Sequence, residues 1–199
     1  MIPPSMGRIA QLAQRVANEE QFRLRPSGPG RVLDIGCGRN KWPGAFGVDI
    51  SEDTDADAVM DLNSFPYDIE SDSFDQILCQ DVIEHVEDPY RVMAELHRIG
   101  KPGARVHIRT PHFSSVLAYG DPTHRHYLSA LAVRALAEPL FSHYTETRFR
   151  VVHVTIDLWT PFRLLGIGAF ANRFQREYEA YLAFRFPAMN IRAEFEVLP

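Results

Sequence analysis

The chain is predicted to fold as an α/β protein. Its core would be a doubly wound, mostly parallel seven-stranded sheet with one antiparallel strand in the edge region. Three observations predict this. Short apolar runs alternate with helical patterns along most of the sequence. The first run, Arg31 to Ile35, passes directly into Gly36-Cys37-Gly38, as a parallel strand does when it delivers a ligand loop. The last two strand-like runs, 147–158 and 190–198, are similar enough in type to pair antiparallel at an edge.

The elements follow in order. Residues 5–24 carry an apolar stripe at Ile9, Leu12, Ala13, Val16 and Ala17, at helical spacing. Pro26-Ser27-Gly28-Pro29-Gly30 breaks that pattern, so 1–28 reads as an N-terminal helix and linker. Strands are expected at 31–35, at 45–50 (ending in an acid), at 57–61 and at 74–79. Pro89 to Ile99 is expected to be a helix with Val92, Met93, Leu96 and Ile99 on one face. Lys101-Pro102-Gly103 should stop it, and 104–110 is the fifth strand. Ser129 can N-cap a helix reaching Glu138. Residues 162–185 look helical, so 158–188 reads as a helical insertion before the last strand. All 199 residues are read as one domain.

Composition narrows the function. The chain has 199 residues, 45% of them apolar and 24% charged, which disfavours bulk disorder and is long enough for an unstapled core. The net charge is −5, unevenly spread. Residues 1–97 hold 8 Lys/Arg and 18 Asp/Glu, or −10; residues 98–199 hold 13 and 8, or +5. Non-specific nucleic-acid coating is therefore disfavoured. Cys37 and Cys79 form neither a CxxC pair nor a zinc spacing. The first residues lack the apolar core of a signal peptide, and no run approaches the ~20 apolar residues of a membrane span. A reduced, cytoplasmic location is the expectation.

Chemistry concentrates after the first strand. Glycines at 36 and 38 let the backbone approach a ligand closely. Asp49 ends the second strand, where a carboxylate can accept from both hydroxyls of a ribose. Together they point to an adenosine-containing cofactor. A dinucleotide site usually has a further glycine opening a helix for pyrophosphate; here that position is Lys41, and the gap from Asp34 to Asp49 is short.

These residues resemble the class I S-adenosylmethionine (SAM)-dependent methyltransferases over about 30–115. VLDIGCG at 32–38 resembles their first motif and GVDIS at 47–51 the second. Residues 60–86 and RIGKPGARVHIRTP at 98–111 resemble the later motifs. Residues 39–44 replace most of the usual first helix, as in a subgroup of small methyltransferases with GCGxNKxPGAxGVDI and a later DPTH segment. The resemblance implies a Rossmann-like fold and SAM as cofactor, with S-adenosylhomocysteine as product. It places Asp34, Gly36, Cys37, Gly38, Asp49, Ile50, Asp61, Leu62, Gln80 and Asp81 around the cofactor. Asp49 would take the ribose, Asp61-Leu62 the adenine, and Gln80 the methionine end.

The candidates for a base or an acceptor clamp lie beyond the fifth strand: His112, His124 and His126. The bland alternative is a turn at Asp121-Pro122 held by His124. An oxygen acceptor is preferred, because such a base serves it best; its identity is open. Asp81, Glu84 and His85 would share a face if helical, and His112 could join them. Two metal-using branches of the resembled family carry Glu-x-x-Glu-His there: small-RNA 3′-end methyltransferases and ubiquinone-pathway O-methyltransferases. Metal-free members carry similar motifs in which Glu84 and His85 would shape the methionine pocket, and no metal is the expectation adopted. The apolar stretch 158–171 has three readings: core cover, dimer contact or a wall for a hydrophobic acceptor. Two rival functions stand beside methyl transfer: a non-catalytic SAM-binding module acting through a partner, and an NAD(P)-dependent oxidoreductase.

Overall fold

A computed structural model describes residues 23–138 and 148–199. Most of the expected N-terminal helix lies outside the described residues, and Arg23 and Leu24 are not helical. The strands are β1 (Val32–Ile35), β2 (Phe46–Asp49), β3 (Ala58–Val59), β4 (Phe74–Gln80), β5 (Gly100–Pro111), β6 (Phe149–Leu158) and β7 (Ala188–Val197). They form one seven-stranded sheet in the order β3-β2-β1-β4-β5-β7-β6. β1 to β5 pair in parallel, and β7 runs antiparallel to both β5 and β6. The expected mixed sheet with its antiparallel edge region is thus present. Strand order reverses between β1 and β4, which opens a crevice at their carboxyl ends.

Local chemistry accounts for most boundaries. Helix α1 (Pro89–Ile99) starts where Asp88 accepts from the amides of Tyr90 and Arg91, with Pro89 in the first turn. It buries the expected Val92, Met93, Leu96 and Ile99 against the sheet. Each such side chain contributes about 1.5–3 kcal/mol by burial. Helix α2 (Val116–Gly120) is capped by Ser115. Helix α3 (Ala130–Ala137) is capped by Ser129, which accepts from the Ala132 amide. Leu33, Ile35, Ile77, Cys79, Val106, Ile108, Ile191 and Phe195 fill the sheet core.

Three expectations need correction. The fifth strand begins at Gly100, not Ala104: Gly100 already pairs with Phe74, and a register shift then absorbs Pro102 and Gly103. The helix expected over 162–185 is broken. It forms α4 (Thr160–Leu164), α5 (Ile167–Arg173), α6 (Gln175–Glu177) and a π-helical turn, Tyr178–Leu182. Gly166, at φ +77°, separates the first two, and Phe174, at φ −132°, the next. Asp81 to His85 is a turn, not a helix, and Asp81 itself has φ +56°. Its amide donates to Arg109 O at 2.8 Å, which keeps it in strand register. No helix among the described residues is long and apolar enough to cross a membrane.

Candidate functional site

The crevice begins at the glycine loop after β1. Gly36 adopts φ +61°, and a Cβ there would overlap Val82 Cγ2. Gly38 adopts φ +56° with no atom within 4 Å of the place a Cβ would occupy, so its outer side is open to a ligand. The Gly38 amide donates to Asp49 Oδ2 at 2.9 Å, and the Ser51 amide to Oδ1 at 3.0 Å. Two backbone donors therefore fix the carboxylate and leave lone pairs for a pair of hydroxyls. Ile50, beside it, is 68% exposed and offers an apolar surface at the same strand end.

Asp61 Oδ1 accepts from the amide and side chain of Asn63, at 2.9 and 3.2 Å. Leu62 packs on the core, and its carbonyl accepts from Tyr67 OH at 2.9 Å. Gln80 Oε1 accepts from the Leu24 amide at 2.8 Å. Asp34 is buried and accepts from the Trp42 amide at 2.7 Å; burial pushes its carboxyl up to about 6. It anchors the short loop that stands where a helix was missing. Arg23 braces the same loop, donating to Asn40 O at 2.6 Å and lying over the Trp42 ring. Lys41 turns away from the crevice: its ammonium pairs with Asp57 at 2.8 Å and its chain covers Gly47. Cys37 also points at Gly47, and burial pushes its thiol up to about 11.

Arg109, buried on β5, grips the Asp81 carboxylate through Nε at 3.0 Å and through Nη2. Sequence reasoning missed this pair. An arginine between Ile108 and Thr110, at the end of an apolar strand, was the available signal.

The loop after α2 closes over the Glu84 turn. The amides of Arg125 and His126 both donate to Glu84 O, at 2.8 and 3.1 Å, and His126 Nε2 bonds Val86 O at 2.9 Å. His124 Nδ1 bonds the Ala118 carbonyl at 2.8 Å, so that nitrogen carries the proton. Its Nε2 lone pair then faces Glu84 Oε1 at 4.0 Å. Thr123 OH donates to Asp121 at 2.6 Å, so it accepts from His85 Nδ1 at 3.0 Å. Glu84 is 1% exposed. Its Oε2 accepts from Thr110 at 3.0 Å, and its Oε1 has no hydrogen-bond partner. Burial, reinforced by the Asp81 charge, pushes its carboxyl up to about 8.

His112 stands apart from this cluster. It is fully buried; Nδ1 meets Ser114 Oγ at 2.8 Å and Nε2 meets Glu179 Oε1 at 3.2 Å. Glu179, which sequence reasoning also missed, accepts from the Ala130 amide at 2.6 Å. The pair ties the end of β5 to α3 and the insertion. The grouping of Asp81, Glu84, His85 and His112 is therefore not what the fold assembles. Among the described residues, the three groups whose ligand atoms lie within 4.8 Å of one another are Glu84, His85 and His124. Asp81 is held by Arg109 and His112 by Glu179.

Comparison with known proteins agrees with this architecture. Residues 7–152 match the family model described as a methyltransferase domain. A 132-residue stretch is 29% identical to methyltransferase GfsG of Streptomyces halstedii, covering 53% of this chain and 46% of that protein. A 101-residue stretch is 30% identical to the ubiquinone biosynthesis O-methyltransferase of Hahella chejuensis, covering 40% and 42%. The chain thus spans less than half the length of these curated relatives. A SAM-dependent methyltransferase from Archaeoglobus fulgidus shares the fold with a TM-score of 0.61 at 17% identity, over 94% of this chain and 93% of that one. The chain belongs to the class I SAM-dependent methyltransferase family.

Proposed function

We propose that residues 1–199 form one domain that transfers the methyl group of SAM to an oxygen acceptor, releasing S-adenosylhomocysteine. The observation that carries this is the Asp49 carboxylate, fixed at the carboxyl end of β2 by the amide of Gly38, a glycine whose outer side is open. Asp49 accepts from the ribose hydroxyls, Ile50 and Leu62 flank the adenine, and Gly36 to Gly38 admit the cofactor to the backbone. Asp61 bounds the adenine pocket. Asp34 and Cys37 shape the loop from behind. Gln80 and Asp81 face the methionine end, Asp81 oriented by Arg109.

In the transfer the acceptor oxygen attacks the methyl carbon in line. The new C–O bond forms as the C–S bond breaks, and the electron pair stays on sulfur. The acceptor proton goes to the His124–Glu84 pair, in which Ala118 holds a proton on His124 Nδ1 and Nε2 faces Glu84 Oε1 at 4.0 Å. His126 braces the loop through Val86. His112 supports the fold through Glu179 and is a positioning residue.

Lys41 supports this reading over the oxidoreductase. It stands where a dinucleotide loop carries a further glycine, and its ammonium is committed to Asp57. Thermal shifts with SAM, S-adenosylhomocysteine and NAD(P)⁺, followed by labelled methyl transfer to an acceptor panel, test it. Stabilisation by the two sulfur compounds and labelled product are expected. Stabilisation by NAD(P)⁺ alone contradicts the assignment, and SAM binding without turnover on any acceptor favours the binding module.

A further inference from the structure

The helical insertion between β6 and β7 has two unlike faces. Its inner face is docked. Asn172 Oδ1 accepts from the Ile156 amide at 2.8 Å, its Nδ2 donates to Ile156 O at 2.9 Å, and Gln175 Nε2 donates to Val154 O at 2.6 Å. Ala171, Tyr178 and Ala183 are buried. The outer surface is apolar and in water: Leu164 is 84% exposed, Leu165 72%, Tyr181 82% and Phe184 76%. Arg173, Arg176, Ala180 and Phe184 are exposed, while Ala171, Tyr178 and Ala183 face inward.

Four exposed arginines stand among these side chains: Arg163, Arg173, Arg176 and Arg185. Among the described residues, no carboxylate pairs with any of them. The acids of the same stretch are Glu177, which is exposed, and Glu179, which is bonded inward to His112 and Ala130. A recess of about 430 Å³, lined in part by Phe113, Leu131, Arg134, Arg176 and Glu179, adjoins this surface.

We infer that this surface rests on an anionic phospholipid bilayer. Leucines and aromatic rings enter the headgroup–acyl boundary, and the exposed guanidinium groups meet lipid phosphates. Charge selects this occupant. A two-fold contact between copies would set like patch on like patch, four arginines against four. A nucleic acid would satisfy the arginines and leave Leu164 and Leu165 in water. The local balance agrees: residues 159–187 carry four arginines against Glu177 and Glu179.

Flotation of the full chain with phosphatidylcholine vesicles, with and without phosphatidylglycerol, tests this. Binding to the phosphatidylglycerol vesicles is expected to exceed binding to the neutral ones by at least about tenfold and to fall in high salt. Leu164→Glu with Leu165→Glu should abolish it, and Arg173→Glu with Arg176→Glu should weaken it at least about tenfold. Thermal melting confirms that both double variants fold, and SAM calorimetry keeps the result separate from the methyl-transfer reading. No flotation with phosphatidylglycerol vesicles overturns the inference. Flotation that neither double variant changes also overturns it, as does a dimer that the leucine variant converts to monomer.

Discussion

The two ends of the sheet solve different problems. On the β1–β2 side, short strands end in a tight loop whose backbone is proposed to meet the cofactor. Asp49, Gly38 and Gly36 lie within 14 residues of one another, and backbone amides set the key carboxylate. On the β5–β7 side, side chains from distant segments converge. Glu84 meets Thr110 and the 124–126 loop, and His112 meets Glu179, 67 residues away. The first region is specified locally and the second by tertiary packing. Damage to the first should therefore act through cofactor affinity, and damage to the second through turnover.

The sharpest break is at Gly36. Gly36→Ala forces a left-handed backbone on a Cβ that overlaps Val82, so we expect a loss of about 2–4 kcal/mol in urea unfolding together with lost SAM binding. His124→Ala should lower turnover about 10²–10⁴-fold while SAM affinity by calorimetry stays near wild type. An unchanged rate moves the base elsewhere. Gly38→Ala has open space around it, so its stability cost should be about 1 kcal/mol, from φ alone. Its SAM affinity should nevertheless fall, because the methyl group enters the space assigned to cofactor.

A different kind of effect is a pH slope. Glu84 has a folded pKa of about 8 against an ordinary 4.5, so the folded state holds an extra proton between those values. Its contribution to stability is complete below about 4.5 and is lost as pH rises through about 8. Glu84→Gln should flatten the fall in stability over that window. His107 has the opposite sign: burial pulls it down to about 4, so its contribution is lost as pH falls through that value. Persistence of the alkaline slope in the Glu84→Gln protein would show that another group causes it.

Legibility followed the same division. β1, β2, β4 and α1 were readable to within about two residues, because apolar runs, the Asp88-Pro89 start and the glycines act locally. Ser129 was readable as a cap for the same reason. The start of β5 was not, because pairing of Gly100 with Phe74 overrides the punctuation of Pro102 and Gly103. Nor was the broken insertion. Its composition favours helix apart from Gly166 and Gly168, and the breaks at Gly166 and Phe174 accompany docking on β6 through Asn172 and Gln175. Arg109 with Asp81, and Glu179 with His112, pair residues that are close only in the folded chain. Asp34 shows a subtler limit: its place beside the glycine loop was readable, but its task of holding Trp42 was not.

Asp49 is the proposed acceptor for the hydroxyls of the cofactor ribose. Calorimetric titration of SAM into the wild-type chain and into Asp49→Ala tests that most directly. Clear binding to the wild type is expected, with affinity reduced at least about tenfold in the variant, the scale of one lost charge-assisted hydrogen bond. Equal affinity in the two proteins, or no SAM binding by the wild type, would contradict it.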